Sequence, residues 1–180
     1  MSEYVFKIIV IGDPAVGKTS LINRFIQDTF EADYKETIGT NILRKTVKMG
    51  DIIVNLTLWD IAGQERWTDM RHVYYQGSTG CIMVYDVSRP ITFKHIEDYW
   101  FPDFKNFCKE EKVPVILIAN KNDMPAKLKR VDSFKGNELG GRVNALRFLE
   151  TSALTGQNVE EAFKALSNIL ISKEQEKQKK

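Results

Sequence analysis

Two cysteines, five prolines and two histidines in 180 residues leave several chemistries without material. Cys81, inside an apolar run, and Cys108, near the end of a helical pattern, cannot build a disulfide framework or a cysteine-rich metal cluster. Free thiols, buried or partly buried, suit a reducing compartment. No apolar run approaches the roughly 20 residues of a membrane-spanning helix. Met1-Ser2-Glu3-Tyr4 leads straight into the first apolar run, without the charged leader and apolar core of a signal peptide. An excess of one charge is missing too: the formal net charge is +2 and dispersed, whereas nucleic acid asks for a concentrated basic face. There is no internal repeat, and the one biased stretch, Lys173 to Lys180, reads as a frayed, solvated helix end. What remains is a hydrophobic content of 43%, enough for one domain with a real core over residues 1–172, followed by a charged tail over 173–180. The expectation is a soluble cytoplasmic monomer with no nucleic-acid partner.

Gly12-Asp13-Pro14-Ala15-Val16-Gly17-Lys18-Thr19 joins the apolar, β-branched run Val5 to Ile11 to a segment whose Leu21, Ile22, Phe25 and Ile26 mark one helical face. A strand, a glycine-bounded loop and a helix in that order form the setting of a phosphate-binding loop. Its glycines let backbone N–H groups turn toward phosphate oxygens, and the helix N-terminus adds its positive dipole end. Lys18 adds a full charge, and the Thr19 hydroxyl can reach Mg²⁺. The loop alone leaves kinase, ATPase and GTPase open.

Further along, alternating runs around Val47 and from Ile53 to Trp59 flank Gly50-Asp51, which suits a hairpin turn. Cys81 to Asp86 and Val113 to Ala119 are continuous apolar runs, as in strands covered on both faces. Ile91, Phe93, Ile96, Trp100, Phe104 and Phe107 carry helical spacing between them, with Pro102 expected to bend or interrupt the segment. A weaker helix around Asp132 to Leu146, broken by Gly140-Gly141, leads to a short strand, Arg147 to Glu150. The last helix carries the stripe Val159, Phe163, Leu166 and Ile169 or Leu170 behind a capping-box pattern of Asn158 and Glu161. Strands alternating with helices predict an α/β, three-layer P-loop fold: a mostly parallel six-stranded sheet with one antiparallel strand and helices on both faces. The segments after Ile11, Leu58, Tyr85, Ala119 and Glu150 then converge beyond the carboxyl ends of the strands.

Three groups at those ends carry the chemistry of a guanine nucleotide site. The Asp60 carboxylate can hold Mg²⁺ through water, and Gly63 lets a backbone N–H approach a terminal phosphate. Asn120-Lys121-Asn122-Asp123 follows an apolar strand. Asp123 can accept both N–H donors of guanine, a pairing that adenine does not offer, so the wrong base leaves a desolvated carboxylate unpaired. Asn120 is expected to bind the base and brace the phosphate loop, while the Lys121 stem lies along the ring. Thr151-Ser152-Ala153 follows the last strand, where the Ala153 N–H can reach the guanine oxygen. Each string alone also suits an ordinary turn; their order along one chain is what selects GTP and GDP.

From Tyr4 to Ser172 the chain resembles the Ras superfamily of small GTPases, and within it the Rab branch. The resemblance is carried by Thr37-Ile38-Gly39, by Trp59-Asp60-Ile61-Ala62-Gly63-Gln64-Glu65-Arg66 and by Tyr74-Tyr75, with Val84-Tyr85-Asp86 and Glu150-Thr151-Ser152-Ala153 in support. It implies that the nucleotide is held by Asp13, Pro14, Ala15, Val16, Gly17, Lys18, Thr19, Ser20, Phe30, Thr37, Gly63, Asn120, Lys121, Asp123, Ser152, Ala153 and Leu154. It also implies that Mg²⁺ is held by Thr19, Thr37 and Asp60, and that Gln64, Lys18 and Thr37 serve slow GTP hydrolysis, Gln64 by orienting water. A GTPase-activating protein, a guanine-nucleotide exchange factor and effectors reading the switch segments are the implied partners, with vesicle trafficking as the setting. Ile38, Trp59, Trp67 and Tyr74 are candidate effector anchors, although Trp59 equally suits a core position.

The chain departs from the family pattern at four places. Pro14 stands where Ras has glycine, so a nucleotide-locked scaffold with little turnover is the alternative reading. Ile42 replaces the usual Rab phenylalanine, and Leu154 replaces the usual lysine. No cysteine follows Cys108, whereas Rabs usually end in prenylated cysteines; either the sequence stops short of that anchor or the protein lacks it. Peripheral attachment to endomembranes is expected only where the native C-terminus is lipidated.

Overall fold

A computed structural model describes residues 2–30, 36–63, 68–108 and 112–179. Six strands, β1 (Ser2–Ile11), β2 (Thr40–Met49), β3 (Ile52–Ile61), β4 (Gly80–Asp86), β5 (Val115–Asn120) and β6 (Arg147–Glu150), form one sheet in the order β2-β3-β1-β4-β5-β6. All neighbouring pairs are parallel except β2 with β3, the hairpin turned at Gly50-Asp51. The sheet is thus the expected one.

Its two faces follow from the period-two geometry of a strand. In β1, Ile8 and Val10 enter one core with Leu21, Ile22 and Phe25 of helix α1 (Lys18–Gln27) and Phe163, Leu166 and Leu170 of helix α6 (Val159–Gln178). Ile9 and Ile11 enter the other, with Tyr75, Trp100, Phe104 and Leu139. That second layer contains α2 (Thr68–Tyr75), α3 (Pro90–His95), α4 (Phe101–Phe107) and α5 (Ser133–Arg142). All four of these β1 side chains are fully buried, each worth about 2 kcal/mol by transfer. The charged segment from Lys173 continues α6 as helix to Gln178. Among the described residues no helix is long and apolar enough to cross a membrane.

One local expectation is sharpened and two need correction. The segment around Pro102 is interrupted as expected, but by a widened turn: α3 passes through a π-helical turn, Ile96–Trp100, closed by the Phe101 N–H on the Ile96 carbonyl, and Pro102 sits in the first turn of α4. A proline there has no N–H to lose from an α ladder, because the widened turn has already shifted the bonding by one residue. Gly140-Gly141 does not break α5, which runs through to Arg142. The preceding Gly136 shows what a glycine contributes on this face: an added Cβ would lie 2.3 Å from the Phe148 ring and 2.5 Å from the Tyr85 hydroxyl. The helix therefore packs on the sheet at a distance that only glycine allows. Asn158 forms no capping box; it adopts a left-handed conformation (φ 55°), and its Nδ2 donates to the Glu150 carbonyl at 2.8 Å.

Candidate functional site

The phosphate-loop segment leaves β1 at Ile11 and enters α1 at Lys18, beyond the carboxyl ends of β1, β3, β4 and β5. Close packing explains its glycines. A Cβ on Gly12, whose φ is +144°, would lie 2.2 Å from the Val84 carbonyl oxygen, and one on Gly17, whose φ is +100°, 2.3 Å from Asn120 Nδ2. Gly63 lies against the same loop, since a Cβ there would come within 2.6 Å of the Asp13 and Gly12 backbone. Val16 is buried and anchors the loop in the first core, and Ser20 is half-buried in the first turn of α1.

Lys18 is buried, and its Nζ donates to the carbonyls of Gly12 and Asp13 at 2.8 and 2.9 Å. Burial pushes the ammonium down to about 8, against the opposing pull of Asp60 and Asp13. Around it three oxygen-bearing side chains meet from separate elements. The Thr19 hydroxyl donates to Asp60 Oδ2 at 2.5 Å and lies 3.0 Å from the Thr37 hydroxyl, which is itself 3.5 Å from Asp60 Oδ2. The other Asp60 oxygen, Oδ1, is buried and has no hydrogen-bond partner among the described residues. Burial raises the Asp60 carboxyl above its ordinary value, opposed by the Thr19 hydrogen bond and the Lys18 charge. Hard oxygen donors with an unused buried carboxylate oxygen fit a small divalent cation. Gln64 and Trp67 lie outside the described residues.

A second cluster forms at the ends of β5 and β6. Asn120 is buried and makes three bonds: Nδ2 donates to the Val16 carbonyl at 2.9 Å, and Oδ1 accepts from the Thr151 hydroxyl at 3.0 Å and the Ala153 N–H at 3.3 Å. It thus ties the phosphate loop to the loop after β6. The Ser152 hydroxyl donates to Asp123 Oδ1 at 2.6 Å, which orients an otherwise exposed carboxylate. The Lys121 ammonium pairs with Asp86 at 2.7 Å, so its stem is stretched across the cluster. Phe30 and Leu154 stand at the margin, 36% and 50% exposed.

A sequence model of the Ras family matches residues 7–172. The chain belongs to the Ras family of small GTPases. Among its relatives are two Arabidopsis thaliana proteins, Ras-related protein RABA6b, 44% identical over 89% of this chain and 69% of its own length, and RABA6a, 42% identical over 89% and 67%. Ras-related protein Rab-1 of Theileria parva is 39% identical over 95% of this chain and 76% of its own length. This Rab-like GTPase is accordingly a GTP hydrolase of a family that binds guanine nucleotides.

Around the site the GTPase carries further contacts that sequence reasoning missed. Arg24, on α1, donates from Nε to the Ala153 carbonyl at 2.9 Å and from NH2 to the Leu154 carbonyl at 2.6 Å, fixing the loop that follows β6. Asp13 and Pro14 are gripped from the α3 segment by Arg89, His95 and Trp100. No local pattern announces these contacts. Beside the site, Ile38 is 73% exposed and is followed on the surface by Ile42, Met70 and Val73. Trp59 is half-buried against the second core, its ring 6.3 Å from Tyr74 and capped by the Lys7 ammonium at 3.9 Å.

Proposed function

We propose that this GTPase is a nucleotide-dependent switch that binds GTP and GDP with Mg²⁺ and hydrolyses GTP slowly. The observation that carries this reading is the meeting of Thr19, Thr37 and Asp60, because Thr37 belongs to the segment leading into β2 and not to the phosphate loop itself. A segment held only by groups that touch the terminal phosphate is released when that phosphate leaves.

In this reading Thr19, Thr37 and Asp60 hold the cation, which when bound neutralises charge on the phosphate oxygens. Lys18 gives up its carbonyl partners for phosphate, and the loop N–H groups of Asp13 and of Ala15 to Ser20 surround the phosphate chain, Pro14 having none to offer. Asp123, oriented by Ser152, accepts the guanine N–H donors; Asn120, Lys121, Ala153 and Leu154 complete the base site, with Phe30 at its edge. Gln64 orients the attacking water, so that hydrolysis rests on positioning and charge stabilisation. Slow turnover calls for a GTPase-activating protein, and resetting calls for an exchange factor. Effectors read Ile38, Trp59 and Tyr74, aromatic and aliphatic anchors of the kind that concentrate binding energy. The protein acts as a monomer in the cytoplasm, peripheral on endomembranes where its C-terminus is lipidated, in vesicle trafficking as the Rab resemblance implies.

Two measurements test the proposal. Nucleotide released from freshly purified, denatured protein should be GDP or GTP; adenine nucleotide would overturn the guanine assignment. Single-turnover hydrolysis should slow in Gln64→Leu, and equal rates would remove Gln64 from the chemistry.

A further inference from the structure

Ala15, in the middle of the phosphate loop, has φ +61°. A residue with a Cβ held in this left-handed region costs about 1–2 kcal/mol, and it stays there only where its surroundings hold it. The surroundings here are specific. On one side, the Pro14 carbonyl accepts from Arg89 NH1 at 2.9 Å, and the Asp13 carboxylate takes His95 Nδ1 and the Trp100 indole N–H, both at 2.7 Å. On the other side, the Val16 carbonyl accepts from Asn120 at 2.9 Å.

The three side chains on the first side come from one stretch, Arg89 to Trp100, and the π turn is what lets two of them meet. In an α-helix, residues five apart point about 140° away from each other and cannot address one carboxylate. Adding a residue to the turn stacks position i over i+5, which brings His95 and Trp100 to the same face; such turns concentrate at functional sites. Trp100 is itself pinned, 1% exposed, with the Arg71 guanidinium 4.4 Å from its ring centre. Facing a carboxylate that already accepts the indole N–H, His95 donates from Nδ1.

We propose that this helix is a brace for the phosphate loop, with Arg89, His95 and Trp100 as positioning residues that keep Ala15 in its left-handed conformation before nucleotide arrives. The loop N–H groups then need no reorganisation on binding, and the brace governs how fast nucleotide leaves. The inference rests on the nucleotide site described above and adds to it a group of residues that do not touch the ligand.

A merely structural role for Arg89 would be indifferent to the residue at position 15, whereas a brace is needed only while that residue resists its conformation. The test is release of N-methylanthraniloyl-GDP from the full chain, chased with excess GDP, for the parent, R89A, A15G and the double variant. R89A should speed release about tenfold, the equivalent of about 1.4 kcal/mol. In the A15G background, where glycine accepts positive φ without strain, the same substitution should change release by no more than about twofold. H95A should also speed release, and H95N, whose amide can donate to the same carboxylate, should recover most of the loss. His95 is partly exposed and contributes a single bond, so H95A in the two backgrounds carries the comparison if R89A does not fold. Equal acceleration in both backgrounds, or none in the parent background, would overturn the brace. A parent that retains no guanine nucleotide at all would instead bring down the nucleotide-site reading on which it stands.

Discussion

Replacing Asn120 by alanine removes a side chain that joins the phosphate loop to the base-side loop. Its three hydrogen bonds, to Val16, Thr151 and Ala153, are buried. At about 1 kcal/mol net for each bond, the loss of stability should be about 3 kcal/mol, and the stranded Val16 carbonyl and Thr151 hydroxyl leave little room for a smaller value. Urea unfolding of the nucleotide-free protein in EDTA measures it without the stabilisation that bound ligand adds. The effect on nucleotide follows separately. With the Val16 carbonyl released, Val16 and Gly17 must be ordered when GDP binds, and fixing one residue's backbone costs about 1–2 kcal/mol, so dissociation should quicken at least about tenfold. A stability loss below about 1 kcal/mol together with an unchanged GDP dissociation rate would refute the reasoning, because it would mean that the loop is ordered without Asn120.

Gly136→Ala should cost about 2 kcal/mol, read as a lower Tm, because its Cβ would lie 2.3 Å from Phe148 and 2.5 Å from the Tyr85 hydroxyl; an unchanged Tm would show that α5 can ride outward freely. Arg24→Ala should leave the Ala153 and Leu154 carbonyls without their partner and speed GDP release about tenfold, since a hydrogen bond from a charged group is worth about 1.5–3 kcal/mol. GDP release indistinguishable from the parent would take Arg24 out of the base site. Asp123→Asn should weaken GDP binding at least about a hundredfold in equilibrium titration, since one bond loses its charge assistance and the amide NH2 sets a donor against the other guanine donor. An affinity within threefold of the parent would mean that Asp123 does not read the base.

Where a feature depends on contiguous residues, it was legible before any coordinates. The β1 run and the loop after it were readable because a short β-branched apolar run, glycine and the helical face follow one another within a single stretch from Val5 to Ile26. The hairpin at Gly50-Asp51 and the strand Arg147–Glu150 were likewise readable from their own residues. Reading failed where a residue's local preference was overruled from outside. Gly140-Gly141 looks like a helix break, but the helix is held against the sheet through its buried face and runs past both glycines. Asn158 has the right neighbour for a capping box, yet the Glu150 carbonyl, eight residues away, takes its amide. Pro102 signals an interruption in the right region, while the π turn that makes room for it lies just before it.

The sequence by itself determined the family and the order of the strands along the chain, because each is written in short runs whose geometry is local, and it left the helix Thr68–Tyr75 unread. Tertiary structure alone decided what holds the loops in place. Arg89, His95 and Trp100 reach Pro14 and Asp13 across 75 to 87 residues of chain, and Arg24 reaches Ala153 across 129. Hydrogen bonds of that span leave no periodicity and no motif, since their only requirement is that a side-chain donor and a distant acceptor be brought within about 3 Å by the packing of everything between them.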